Sequence, residues 1–134
     1  MLLGCIYYYV LPVDHLTQQL SQDLLYGRFE SVGQRCREEL ALRPEDHPTT
    51  LTLRVILAEA LCGARDLEGA ARELARISNS NEPEVLVARA KVALHHNDFA
   101  GARGMLEAAL RRDEACNAAH LVLAQIAQHE TDKP

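Results

Sequence analysis

Cys116 and His120 stand one helical turn apart and share a face, which is half of a zinc site. Tetrahedral zinc needs further ligands, and no other Cys or His follows at a suitable spacing, so no metal is expected. His95 and His96 are adjacent at a helix end. Neighbours on a helix point about 100° apart and do not converge on one ion. A solvated last turn, where histidine complements the helix dipole, accounts for the pair. Glu38-Glu39, Glu45-Asp46 and Asp113-Glu114 are adjacent carboxylates. Acid–base work by a carboxyl pair needs two groups facing each other across a cleft, so these read as surface charge. Gly101 and Gly104 fall inside a helix and not between strand and helix, so they form no dinucleotide loop. No Ser or Cys sits in a nucleophile elbow. The expectation is a protein without catalytic residues, cofactor or metal.

Composition narrows the class further. The 134 residues make one ordinary domain, 48% hydrophobic and 4% aromatic, without Trp. Ala, Leu, Arg and Glu dominate and favour helix. The net charge of −5 argues against a nucleic-acid partner, which would need clustered Lys and Arg. The arginines are instead interleaved with acids along helices, as on solvated faces. Cys5, Cys36, Cys62 and Cys116 lack any Cys-x-x-Cys spacing and suggest no disulfide framework. Cys36 reads as a small core residue, and a reducing, cytoplasmic setting is expected.

Residues 1–13 form an apolar N-terminal segment, including Ile6-Tyr7-Tyr8-Tyr9-Val10. Met1 to Leu11 is too short to span a bilayer, so membrane insertion is not expected. It lacks a basic flank and a small-residue cleavage site, a poor match to a secretory signal. Leu2-Leu3-Gly4-Cys5 has the outline of a lipoprotein box, but four residues ahead of the cysteine leave no room for the required signal. The segment is expected either to pack on the first hairpin or to mark an interface.

The elements that must carry any site are helical. Phe29, Val32, Cys36 and Leu40 step by three or four residues. So do Leu67, Ala70, Leu74 and Ile77, and again Phe99, Ala102, Leu106 and Leu110. Each set is one apolar stripe on a helix. The spacing predicts helices over 14–26, 29–42, 50–62, 67–77, 83–95, 99–112 and 115–129, with residues 130–134 a polar tail. Asp14, Thr49 or Thr50, and Asp66 are the expected N-caps, with Pro83 at a first helical position. Gly27 and Gly63 are expected to break helices, and Arg43 to Pro48 to form a loop. The fold class is therefore all-α. Three antiparallel hairpins and a closing helix must stack, because no hairpin buries its stripe alone.

These residues resemble tetratricopeptide repeats. Gly27, Phe29, Val32 and Pro44 match that pattern in the first copy. Leu57, Ala58, Leu61, Leu67 and Ala70 match in the second, and Leu86, Ala90, Phe99, Ala102, Ala109 and Leu110 in the third. The likeness covers residues 14–129. It departs where Arg65 and Asn97 replace the glycine and where the third copy lacks the terminal proline. Copies begin at Phe29, Leu67 and Phe99, so the first interval is longer, and an insertion around Asp46 to Thr50 is expected.

The resemblance implies a concave groove lined by the first helix of each repeat. In this register Thr17, Ser21, Leu24, Thr52, Val55, Glu59, Cys62, Glu84, Val87, Lys91 and Leu94 line it. An apolar thread through Leu24, Val55, Cys62, Val87 and Leu94 with a polar rim suits a partner protein's amphipathic helix or extended peptide. Lys91 is the sole base, beside Glu59 and Glu84, so a clamp for the acidic tails of heat-shock chaperones is not expected. Small acidic proteins of about three such repeats resemble type III secretion chaperones. The expected function is a non-catalytic interaction module or chaperone. The alternative is an assembly subunit that dimerises or docks through the apolar N-terminus or through Leu121, Leu123 and Ile126 of the last helix.

Overall fold

The computed structural model describes residues 15–77 and 80–132. The N-terminal segment 1–13, the Asp14 cap, Ser78 and Asn79 of the expected turn, and the last two residues lie outside the described residues. All described regular structure is helical. Helix α1 spans residues 15–25. It is followed by α2 (Phe29–Ala41), α3 (Pro48–Gly63), α4 (Leu67–Ala75), α5 (Pro83–His95), α6 (Phe99–Arg112) and α7 (Asn117–Thr131).

The apolar stripes meet in three linked clusters. Leu16 and Leu20 of α1 pack with Val32 and Cys36 of α2 and Leu53, Ile56, Leu57 and Ala60 of α3. Val55 and Ala58 of α3 join Leu74 of α4 and Val85 and Ala88 of α5. Leu86, Val87 and Ala90 of α5 join Ala102, Leu106 and Ala109 of α6 and Ala119, Val122 and Ile126 of α7. Helices α3 and α5 thus each belong to two clusters. Consecutive helices from α2 to α7 pack on one another, and α3 also packs on α5, and α5 on α7. Burial explains the difference in sequence character: residues 53–58 of α3 are buried without interruption, whereas α4 buries only Gly69, Ala70 and Leu74.

Three turns share one geometry. Gly27, Arg65 and Asn97 all adopt the left-handed backbone, with φ of 76°, 70° and 60°. After each, an N–H reaches back five residues: Arg28 to Asp23 O at 3.0 Å, Asp66 to Leu61 O at 2.8 Å, and Asp98 to Ala93 O at 2.9 Å. This is the Schellman closure of a helix C-terminus. Asp66 and Asp98 then cap the next helix, accepting from the N–H of Gly69 and Gly101 at 2.9 and 3.0 Å. The Asp-x-x-Gly-Ala run at 66–70 and 98–102 is a sequence signal for this turn that the apolar stripes do not reveal.

Several boundaries differ from the sequence-based expectation. The cap of α3 is His47, whose Nδ1 accepts from Thr49 N at 3.1 Å, while Thr50 donates its hydroxyl to Pro44 O at 2.9 Å. Part of the expected insertion around Asp46 to Thr50 lies inside α3, which starts three residues earlier than α5 when the two are counted back from Asp66 and Asp98. The longer first interval comes from the helices, since α2 has 13 residues against 9 in α4, and α3 has 16 against 13 in α5. Ile77 lies beyond α4, which ends at Ala75. Helix α7 continues to Thr131, and Glu130 pairs with Arg103 of α6.

Gly63 is the last residue of α3 and does not break it. Its role is spatial. A Cβ there would overlap the Phe29 ring, which lies against the glycine backbone. Arg54 is also not a solvated arginine. It is 8% exposed and ties the α2–α3 loop and α4 to α3, through Glu45 at 2.6 Å and Glu73 at 3.2 Å.

Gly63→Ala is expected to lower stability in urea unfolding. Overpacking costs about 1–3 kcal/mol, more than the gain of up to about 1 kcal/mol that alanine brings to a helix. Arg65→Gly is expected to raise stability by about 1 kcal/mol, the strain of a side chain in the left-handed region; an unchanged thermal midpoint would contradict this.

Candidate functional site

The ends of α1, α3 and α5 converge on a groove of about 510 Å³. Leu24 and Leu25 close it from α1, Glu59 and Cys62 from α3, Lys91 and Leu94 from α5, and Gln125 from α7. The turns at Gly27 and Arg65 bring these helix ends together. The packing of Phe29 on Gly63 sets how closely α2 approaches α3 beneath them. Leu25 is 87% exposed at the rim.

Six of the eleven residues assigned to the groove from sequence line it: Ser21, Leu24, Glu59, Cys62, Lys91 and Leu94. Thr52 and Glu84 lie on the same helices outside this lining, and Thr17 is partly buried on α1. Val55 and Val87 do not form part of an accessible thread. They are 5% and 1% exposed, because α4 and α7 close over them in two of the core clusters. Leu25, Phe29, His95 and Gln125 were not anticipated. Leu25 follows the 16, 20, 24 stripe by one position, and α7 can be placed at the groove only by knowing how it packs on α5.

Charge in the groove is largely internal. Lys91 Nζ of α5 reaches Glu59 Oε1 of α3 at 3.2 Å. Both ends keep solvent contact, so the pair adds at most about 1 kcal/mol. Cys62 sits beside it, and burial pushes its thiol above the ordinary range; Lys91 opposes the rise and Glu59 adds to it. A protonated thiol is a poor nucleophile at neutral pH. Cys36 in the core is pushed up to about 12, again chiefly by burial. Loss of hydration raises the Glu84 carboxyl, and the charges of Glu82 and Glu59 raise it further.

Cys116, His120, Asp113 and Glu39 lie outside the groove lining. His120 Nε2 contacts the Glu114 carbonyl at 2.9 Å, and Cys116 is the N-cap residue of α7. Asp113 accepts from Ala115 N at 3.1 Å. Glu39 binds Arg43 and Arg35, and the Arg43 hydrogen bond is the main reason its carboxyl is lowered. Among the described residues, no group of three His, Cys, Asp or Glu could hold a metal ion. No helix among them is long and apolar enough to cross a membrane. On α7, Leu121 is 62% exposed, but Ile126 is 1% exposed in the core and Leu123 packs against it. The expected apolar face of the last helix therefore reduces to Leu121.

No family model, curated protein or solved structure matches the chain.

A carboxyl raised by folding destabilises the folded state when it is charged. Glu84→Gln is therefore expected to raise the thermal midpoint at pH 7. The advantage should fade as pH falls through the raised folded-state value and vanish below the ordinary value of 4.5, where the wild-type carboxyl is protonated in both states. Melting curves between pH 4 and 7 check this; a difference independent of pH would contradict it.

Proposed function

We propose that the chain is a solenoid of three tetratricopeptide-like hairpins capped by α7, and that it works as a non-catalytic module or chaperone holding an apolar segment of a partner protein. Three left-handed turns with one hydrogen-bond closure support a repeat unit. The packing of α3 on α5 and of α5 on α7 supports stacking of first helices. The observation that carries the function is the groove itself. Leu25 stands exposed at its rim beside Leu24 and Leu94, and its charged pair is already satisfied. Such a surface gains by covering apolar side chains. Size and acidity agree with the small secretion chaperones of this fold, and free buried cysteines suit a reducing cytoplasm. The assembly alternative, docking through the apolar N-terminus or the last helix, has Leu121 exposed on α7, while its N-terminal half lies outside the described residues.

Affinity capture from source cell extract, followed by native mass spectrometry, tests this reading. Leu25→Glu and Leu94→Glu are each expected to weaken retention of the captured partner at least about tenfold, the scale of losing one buried leucine. Leu42→Glu, at a 78% exposed leucine just past the end of α2, serves as the control and should retain it. Circular dichroism should show unchanged helicity in all three. Equal retention by wild type and Leu25→Glu would remove the groove as the binding site.

A further inference from the structure

We propose that the segment held in the groove is basic as well as apolar, with a Lys or Arg of the partner set against Glu84; this rests on the groove reading above. Glu84, Ala88, Lys91 and His95 follow one another at helical spacing and share a face of α5. Ala88, Lys91 and His95 line the groove. Glu84 therefore extends the same face at the other end of α5.

The charges around it are unevenly matched. Glu59 is paired with Lys91 at 3.2 Å. Glu82 is paired with Arg112 at 3.9 Å. Glu84 has no ion-pair partner among the described residues, and the charges acting on it come from Glu82 and Glu59. Beyond the groove lining, whose apolar end is Leu24, Leu25 and Leu94, the same face of α5 ends at Glu84, a solvent-exposed carboxylate in the first helical turn. A partner cation placed there gains an ion pair with Glu84, whereas a partner carboxylate would meet like charge. The net charge of −5 favours approach of a basic segment over a second copy of this chain.

Two labelled synthetic peptides test the assignment. Both are the same leucine–alanine amphipathic helix, ending in Lys in one and Glu in the other. Fluorescence anisotropy with the full chain is expected to give about fivefold tighter binding of the Lys peptide, the upper range for an exposed ion pair. The preference should fall to below about twofold in Glu84→Gln and in about 0.5 M salt, where such pairs are screened. Equal binding of the two peptides, or a preference unchanged in Glu84→Gln, overturns the basic-partner assignment and leaves the groove reading in place. Binding that survives Leu25→Glu, or no binding of either peptide, overturns both. Sedimentation that finds a dimer under those conditions would make a second copy the occupant and likewise overturn the assignment.

Discussion

Two-sided burial of α3 and α5 is the constraint on which the rest depends. Each helix belongs to two core clusters, so neither has a broad face left for water. A helix apolar nearly all round must be covered on opposite sides. Helices α2 and α4 cover α3, α4 and α6 flank α5, and α7 closes the far side of α5. Removing any of these outer helices would expose a continuous apolar surface. Cooperativity across the stack follows from that sharing, as expected where neighbouring units bury one another.

The turns let this packing repeat. A left-handed residue followed by a five-residue reach of an N–H reverses the chain three times in the same way. In two of these turns the next residue is an aspartate that also starts the following helix, so one position ends one helix and opens another. The first turn has Arg28 there, which pairs with Asp23 at 3.1 Å and offers no side-chain cap. Glycine supplies the left-handed residue in the first turn alone. Asn tolerates that conformation better than most residues, whereas Arg65 bears strain that the closure on either side offsets.

The groove is a consequence of the same geometry. Helix ends at the three turns lie on one side of the stack, and side chains one position off the core stripe face outward there. Leu25 is the clearest case, because Leu24 already occupies the partly buried position. Lys91 and Glu59 link α5 to α3 across the surface and leave the apolar rim uncharged. Away from the groove lining, Arg54 fastens the α2–α3 loop and α4 to α3.

Local pattern was enough to determine the helices. Stripes at three- and four-residue spacing, two prolines at 44 and 48, Pro83 and the Asp66 cap place all seven described helices within two residues, because these signals act over a single turn of chain. The resemblance to helical repeats, and not local pattern, implied that Leu24, Glu59, Cys62, Lys91 and Leu94 are neighbours. Tertiary packing alone decided that Val55 and Val87 are interior, that Leu25 and Gln125 reach the groove, that Arg54 is a buried tie, and that Gly63 makes room for a ring. An α3 or α5 residue can face either of two neighbouring layers with the same helical periodicity. Which layer it meets depends on how far each outer helix rotates and slides to fill the space beside it, and that is a property of the packed stack and not of any one segment.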